Sequence, residues 1–331
     1  MRQLGRHMRS EIGEAASVFE TAVKAKVSVS GDEFHSFYTV ARGSSDAAAN
    51  ILSYEFMAEL DRPMTSLPPS VFSLGGGVNL GRSAVVLISQ SGASDDLVRT
   101  ASGAKSRGAR ILSLTNVPGS DVEQVSDLTV PIGAGPELAI PATKTVIGSI
   151  AAGMALLAGL KPEYSAACAR AAAAFSEISK SPPKLNSQAV IDALVGSDSI
   201  FVIGRGAGFG AAQEVALKLK ETCALHAEAY SASEVLHGPL QLVVKPLTVV
   251  ILDTEEAATK ESIDNAEKRF RASGARVFRF SAHDFGTGSL VPAAASAGLL
   301  WGFYHIILEV ALALGLDPDV PDQLAKVTRT V

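Results

Sequence analysis

The chain has 331 residues, 47% of them hydrophobic and 19% charged, and a formal net charge of −5 at pH 7. This composition excludes a disordered chain, and the acidic balance disfavours a nucleic-acid-binding protein. The two cysteines, Cys168 and Cys223, exclude a disulfide framework and a paired-cysteine metal site. The N-terminus lacks the apolar core of a signal peptide, and the longest apolar run, 147–160, is too short to cross a bilayer. We therefore expect a cytoplasmic protein with no membrane partner.

Apolar periodicity predicts alternating helices and strands through the first half of the chain. An N-terminal helix is predicted over 8–27 and a short strand over 37–41. The elements that follow are a helix over 47–60, a central strand over 84–88, a helix over 95–107, strands over 111–114 and 128–131, and an apolar helix from 141 to 160. Strands that alternate with helices in this way imply a parallel sheet.

The second half of the chain repeats this order. A strand over 200–204 ends in Arg205-Gly206, which matches Arg42-Gly43 after the first strand, and the strand over 249–253 matches the central strand of the first half. Matched positions lie 163 to 166 residues apart, and a closing apolar helix is predicted over 297–314. The sequence therefore predicts a duplicated βα domain.

The loop Ser89-Gln90-Ser91-Gly92-Ala93-Ser94 lies between the central strand and the next helix. Unpaired backbone N–H groups, the positive end of a helix dipole and serine hydroxyls together suit a phosphate dianion, although serine is also an ordinary helix cap. The second half has Thr254-Glu255-Glu256 at the matching place, and its carboxylates would repel an anion. We expect only the first half to bind phosphate, at the sheet edge where 42–46 and 89–94 meet.

The densest polar stretch extends from Lys218 to His237. Lys218 and Glu221 lie three residues apart on one helical face, which fits a surface ion pair as well as a proton-transfer pair. His237 precedes Gly-Pro and is either a plain loop histidine or a general acid.

Two other motifs in this half carry little weight. His226-Ala227-Glu228 has the His-x-Glu of zinc deaminases but lacks their Pro-Cys-x-x-Cys partner. The glycine-rich stretch 204–210 places Phe209 where a dinucleotide fingerprint requires glycine. A zinc deaminase and a dehydrogenase are therefore both disfavoured.

Seven segments, in the same order, resemble the isomerase half of glucosamine-6-phosphate synthase (glutamine–fructose-6-phosphate aminotransferase) and stand-alone glucosamine-6-phosphate deaminases. These proteins contain tandem sugar isomerase (SIS) domains, and the resemblance covers nearly the whole chain. The segments are ARGSS (41–45), SQSG (89–92), NVPGS (116–120), ALKLKE (216–221), HAEAY (226–230), LHGP (236–239) and LAK (324–326).

The resemblance implies an α/β fold of two tandem SIS domains, each a parallel five-stranded sheet flanked by helices in a flavodoxin-like, three-layer arrangement. The corresponding division of the chain is a helical segment over 1–30, a first domain over 31–180, a linker over 181–196, a second domain over 197–317 and a C-terminal tail over 318–331 that closes on the site.

The resemblance also implies a site for an open-chain hexose 6-phosphate that needs no metal or organic cofactor. Glu221 would move a proton between C1 and C2, His237 from the neighbouring subunit of a homodimer would open the ring, and Lys218 and Lys326 would contact the reacting end. Phosphate and hydroxyl contacts would come from Gly43, Ser44, Ser45, Ser89, Gln90, Ser91 and Ser94, backbone contacts from Ile140 and Ala325, and support from Glu137 behind them.

Three departures from the synthase pattern shape the functional expectation. The sequence contains no glutaminase half and has Arg at residue 2, so we expect no release of ammonia from glutamine. Arg42 stands where the synthase motif has cysteine, which suits stand-alone members of the family. Asp322 stands where an arginine is usual, which affects the docking of the tail.

The expected function is the conversion of glucosamine 6-phosphate, or a close relative, to fructose 6-phosphate and ammonia through a 1,2-proton shift. The alternatives are an aldose–ketose isomerase for another sugar phosphate and a non-catalytic sugar-phosphate sensor. A sensor would keep the serine loop but would not need Glu221, His237 and Lys326.

Overall fold

The first of two sheets carries the serine loop. The computed structural model describes residues 4–184 and 187–326. The strands of this sheet are β1 (Ser36–Val40), β2 (Met64–Ser66), β3 (Ser83–Ser89), β4 (Arg110–Thr115) and β5 (Leu128–Pro131). All pair in parallel in the order β2-β1-β3-β4-β5. Every residue of β3 is buried, as expected for a β-branched, leucine-rich strand covered on both faces.

The second sheet repeats the first four strand positions. Its strands are β6 (Ile200–Gly204), β7 (Ala227–Ser231), β8 (Thr248–Asp253) and β9 (Arg276–Ser281), paired in parallel in the order β7-β6-β8-β9. The predicted α/β fold with two parallel sheets is therefore confirmed.

The helices alternate with these strands. They are α1 (Arg6–Ala22), α2 (Ser44–Leu60), α3 (Ser70–Ser73), α4 (Asp95–Ser106), α5 (Asp121–Val125), α6 (Lys144–Leu160), α7 (Ser165–Lys180), α8 (Gln188–Val195), α9 (Ala207–Cys223), α10 (Lys260–Ala272) and α11 (Pro292–Ala313). Short 3-10 helices cover Pro162–Tyr164, Glu234–His237, Pro239–Val244 and Ala282–Phe285.

The second sheet differs from the expectation in having four strands, not five, among the described residues. After β9 the chain forms a 3-10 helix and then α11, and the short connection over 286–291 holds no apolar β-branched run of strand length. Other differences are local. The N-terminal helix ends at Ala22 instead of 27, α11 begins at Pro292 instead of 297, and the stretch 181–196 expected as a linker contains α8.

One layer of helices lies between the two sheets. Alternate residues of β3 (Ala84, Val86 and Ile88) pack with α1, α2 and α6 in a core that continues through α9 and α11 to β8. The opposite faces of the two sheets have smaller cores of their own, against α4 and α10 respectively. The shared central core holds the two halves together through burial of apolar surface.

Helices α2 and α9, the first helix of each half, pack directly against each other in this layer. A Cβ atom at Gly210 of α9 would lie 2.6 Å from Ile51 Cγ1, 2.8 Å from Ile51 N and 2.9 Å from Ala47 O. Because two of these atoms are backbone, only glycine permits this close approach. The crossing brings the C-terminal end of α9 to the N-terminal end of α2.

Helix α11 is a longer apolar segment than the one the sequence analysis singled out. Its 22 residues are long and apolar enough to cross a membrane, the only such helix among the described residues. Because 83% of its most apolar window is buried inside the protein, it has the character of a core helix.

Candidate active site

A cavity of about 370 Å³ opens where the carboxyl ends of β1 and β3 meet. The chain leaves β1 towards β2 on one side and leaves β3 towards β4 on the other, so this edge is the topological switch point at which open parallel sheets bind ligands. The cavity is lined by Arg42, Gly43, Ser44, Ser45, Gln90, Ser91, Ser94, Asp96, Ile140, Pro141, Ala142, Glu221, Leu324, Ala325 and Lys326. Most of the predicted site residues are therefore brought together.

The serine loop is shaped by its own hydrogen bonds. Ser89 Oγ accepts the N–H of Gly92 at 3.0 Å, and Ser91 Oγ accepts the N–H of Ala93 at 3.3 Å. Gly92 has φ +64°, and a Cβ there would lie 2.3 Å from Ser120 Oγ, so the turn requires glycine. Ser94 makes no side-chain capping bond to α4. Ser94 lines the cavity and does not serve as the ordinary helix cap that was the alternative interpretation.

Arg42 links the two loops that form the cavity. Its Nε and Nη2 donate to Asp96 Oδ2 at 3.0 and 2.8 Å, and its side chain remains 54% exposed at the cavity wall. Asp96 is buried in the first turn of α4. An unpaired carboxylate there would repel an anion, so the guanidinium balances its charge and adds a cation beside the serines. Asp96 was missed by the sequence analysis, because no local pattern marks its pairing with Arg42.

Lys218 is fully buried, so it is not part of a surface ion pair. Its Nζ donates to Ser44 Oγ at 2.7 Å and to Glu221 Oε2 at 2.6 Å, and lies 3.2 Å from Glu214 Oε1. Burial acts to lower the pKa of Lys218, but the two carboxylates outweigh it and raise this pKa. Glu221 is partly exposed and lines the cavity. The ammonium therefore holds the predicted proton-transfer carboxylate in place.

Glu214 and Tyr304 extend this group into the core. Tyr304 donates from its hydroxyl to Glu214 Oε1 at 3.0 Å, and both residues are completely buried. Burial raises the pKa of Glu214 to about 7, although Lys218 acts to lower it. Sequence analysis missed both residues. The i, i+4 spacing of Glu214 and Lys218 on α9 was a usable signal, but Tyr304 lies 90 residues away.

Lys326 reaches the cavity from the C-terminal tail. Its Nζ donates to Ala139 O, lies 3.4 Å from Ile140 O, and is 3.7 Å from Glu137 Oε2. Glu137 in turn accepts the N–H groups of Thr143 and Thr145 at the start of α6. Burial lowers the pKa of Lys326, although Glu137 and Glu11 act to raise it.

His237 is not brought to this cavity by its own chain. It is the exposed last residue of a 3-10 helix and is absent from the cavity lining. Its supply by a partner subunit stays a prediction.

Over 4–184 and 187–326 no group of three or more His, Cys, Asp or Glu side chains is arranged to hold a metal ion. Glu228, of the His-x-Glu motif, accepts a hydrogen bond from Tyr230.

A serine-rich loop at the switch point of an open parallel sheet, with acid–base groups facing it, is a feature of α/β proteins that bind small phosphorylated ligands. The model of the SIS domain matches residues 33–159 and 193–285, and the chain belongs to this family. The resemblance read from the motifs is thereby confirmed.

The chain is similar to curated aminotransferases over most of its length. The isomerizing glutamine–fructose-6-phosphate aminotransferase of Halobacterium salinarum is 35% identical over 309 residues, which cover 87% of this chain and 50% of that protein. The chain thus spans about half the length of this curated relative.

Two solved structures share the fold over nearly their whole length. A protein of Silicibacter pomeroyi DSS-3, to which phosphosugar isomerase activity is attributed, has 31% identity and a TM-score of 0.79, covering 95% of this chain and 99% of that one. Glucosamine-6-phosphate deaminase of Thermotoga maritima has 22% identity and a TM-score of 0.76, covering 98% and 100%, a likeness of fold.

Proposed function

We propose that the protein converts glucosamine 6-phosphate to fructose 6-phosphate and ammonia. The observation that carries the proposal is that Glu221 and Lys326 line one cavity whose other wall is the serine loop, with the buried Lys218 bonded to Glu221 behind that surface. The cavity volume is in the range of small-molecule sites. The chain's relatedness to an aminotransferase of fructose 6-phosphate and to an attributed phosphosugar isomerase supports the substrate class.

The reaction follows from the groups around the cavity. Ring opening exposes an aldehyde at C1 beside the amine at C2. Glu221 takes the proton from C2 and returns one to C1, which converts the C2 amine to an imine. Water adds to the imine carbon and ammonia leaves, giving the ketose phosphate. The Lys218 ammonium, next to Glu221, stabilises negative charge that develops near C1, and Lys326 contacts the same end of the sugar.

The proposal includes a cytoplasmic homodimer in which His237 opens the ring in the partner's site. The segment that follows His237 exposes Leu242 and Val244, apolar side chains that a second copy would cover. Mixing His237→Ala and Glu221→Gln subunits tests this arrangement. Each mixed dimer would hold one intact site, so about a quarter of the wild-type activity should return. No recovery in dimers shown to have exchanged would contradict it.

The decisive experiment measures ammonia and fructose 6-phosphate released from glucosamine 6-phosphate by the purified protein without added metal. We expect equimolar release. Glu221→Gln should fold normally, because the amide oxygen still accepts from Lys218, and bind the sugar phosphate in a thermal-shift assay. Its kcat should fall by about 10²–10⁴-fold, the usual contribution of a general acid–base. Undiminished turnover in this variant would contradict the mechanism.

The same assay separates the alternatives. Binding without ammonia release, together with interconversion of another aldose and ketose phosphate, indicates a plain isomerase. Binding without turnover of any sugar phosphate indicates a sensor.

A further inference from the structure

Asp319 of the C-terminal tail joins three distant parts of the chain. Its carboxylate is 2% exposed and accepts the N–H groups of His7 at 2.9 Å and Met8 at 2.8 Å, in the first turn of α1. These N–H groups have no partner within the helix, and a carboxylate also favours the positive end of the helix dipole. The backbone carbonyl of Asp319 accepts the N–H of Ile140 at 3.0 Å.

Glu11, one turn further along α1, holds the same loop from the other side. Its buried carboxylate accepts the N–H of Leu138 and lies 3.3 Å from the N–H of Ala139 through each oxygen. The carbonyls of Ala139 and Ile140 are the groups that receive the Lys326 ammonium.

The peptide unit between Ala139 and Ile140 is therefore held at both of its polar ends by the tail. Its N–H donates to Asp319, and its carbonyl accepts from Lys326. The tail from Asp319 to Lys326 therefore forms a short loop whose two ends bind the same peptide unit. Glu11 binds the N–H of the preceding peptide unit, between Leu138 and Ala139. We call this arrangement of Glu11, Asp319 and the backbone of 138–140 the clasp.

Apolar packing of α1 does not account for the clasp. Residues such as Ile12 and Phe19 already anchor the helix in the central core. Burial raises the pKa of Glu11 to about 7, with Glu137 acting in the same direction and Lys144 against it. A buried carboxylate is costly unless it is hydrogen-bonded, and the backbone N–H groups that donate to Glu11 belong to the loop that receives Lys326.

We propose that Glu11 and Asp319 are positioning residues that act through Lys326. By fixing the backbone of 138–140 they set where the ammonium stands at the cavity wall. Residues 138–140 lie within the ranges that match the SIS domain model, whereas α1 and the tail lie outside them, so the clasp joins flanking segments to the SIS core. The inference rests on the role proposed above for Lys326.

A double-mutant cycle on turnover of glucosamine 6-phosphate tests the coupling. Glu11→Ala should lower kcat by about tenfold or more, because displacement of a reacting group by about 1 Å costs up to about 10²-fold, while KM changes less. Glu11→Gln, which keeps one acceptor oxygen, should restore part of this loss. In a Lys326→Ala background, Glu11→Ala should have no further effect on kcat.

Arg9→Ala is the matched control on the same helix turn. Arg9 pairs with Glu309 at the surface, both side chains being 47% exposed, and it does not contact the loop. Its kcat and KM should match those of the wild type. Thermal denaturation of each variant shows whether the chain is folded at the assay temperature, and Glu11→Gln replaces Glu11→Ala if the latter is not.

Acylation of lysines with acetic anhydride, followed by mass spectrometry, tests the clasp without turnover. Glu11→Ala and Asp319→Asn should increase the labelling rate of Lys326 several-fold relative to the exposed Lys220. Unchanged labelling of Lys326 in these variants overturns the inference. An equal loss of kcat on Glu11→Ala in the wild type and in the Lys326→Ala background also overturns it. If Lys326→Ala leaves kcat unchanged, but Glu11→Ala increases the labelling of Lys326 in a protein that retains this lysine, the catalytic role of Lys326 fails and the clasp stands.

Discussion

The two SIS units have the same frame and different chemistry. Helices α2 and α9 occupy equivalent places, each has 17 residues, and each follows an Arg-Gly pair. The glycines before them share an unusual backbone, with φ and ψ of 54° and −128° at Gly43 and 58° and −135° at Gly206. The duplication has therefore preserved the backbone at both sheet edges, so the difference in chemistry lies in side chains.

Those side chains divide the work between the units. In the first unit Arg42 and the serine loop face an open cavity. In the second, Arg205 donates to Ser231 and Ser233, and Glu256 approaches Gly206, which leaves an acidic edge. The second unit contributes the far end of α9 instead, whose Lys218 crosses to Ser44. In the function proposed above, the first unit therefore has the role of binding the anion and the second that of supplying Glu221 and Lys218.

The largest expected effect concerns the buried cation of the second unit. Lys218→Met leaves Glu214 buried without its cation, so the free energy of unfolding should fall by about 3–5 kcal/mol. Lys144→Met in the first unit is the matched control, because the partner of Lys144, Glu14, is half exposed and can turn to water. Urea denaturation measures both. A similar loss in the two variants would show that Glu214 is not uniquely dependent on Lys218.

Next in size is the conversion of the first unit's loop to the acidic character of the second. Ser91→Glu places a carboxylate against the phosphate, and a repulsion of about 3 kcal/mol at an effective dielectric constant near 20 raises KM by about 10²-fold. Glu256→Ser makes the reverse change in the second unit and should leave KM within about twofold. Steady-state kinetics measure KM in both variants. An unchanged KM in Ser91→Glu would contradict a role of the serine loop in phosphate binding.

The seam between the units should respond to a single methyl group. Gly210→Ala forces α9 away from the backbone of Ile51, and we expect a loss of about 1–3 kcal/mol in the free energy of unfolding, with reduced turnover because Lys218 moves from Ser44. Gly13→Ala on α1 is the control. A Cβ there meets nothing within 4 Å, so this change should stabilise the protein slightly. Equal effects of the two substitutions would contradict a close-packed seam.

The smallest effect separates the two equivalent arginines. Arg42→Ala should raise KM for the sugar phosphate by about tenfold, because it removes a charge-assisted contact and leaves Asp96 unpaired beside the serine loop. Arg205→Ala should leave KM unchanged. Inorganic phosphate as a competitive inhibitor gives an independent measure, since its inhibition constant should follow KM only in the Arg42 variant. Parallel shifts in both variants would mean that the two sheet edges are not functionally distinct.

Sequence reasoning reached the parts of this protein that have local signals. The serine loop and the Lys218–Glu221 pair are patterns within a few residues, and the duplication is a recurrence of such local patterns, so each could be predicted. Residues that join distant segments could not, because no local periodicity marks them. Asp96 meets Arg42 from 54 positions away and Asp319 meets Met8 from 311.

The resemblance to the family implied a fifth strand in the second sheet. Among the described residues this strand is not present, and the local sequence after β9 favours a 3-10 helix instead. The burial of Lys218 could not be predicted from the sequence alone either. Lys218 fits an exposed ion pair by spacing, and only the packing of α9 against α2 places it in the core.

The bond between Lys218 and Ser44 has a consequence for the order of events in folding. It closes a loop of 174 residues at an entropic cost that this single bond does not offset, so we expect it to form only when α2 and α9 have docked. The serine loop, by contrast, is held by hydrogen bonds within the first unit. During refolding, regained sugar-phosphate binding reports the first unit, whereas regained turnover reports the docking of the two units. Catalytic activity is therefore a kinetic marker for the final assembly step of this chain.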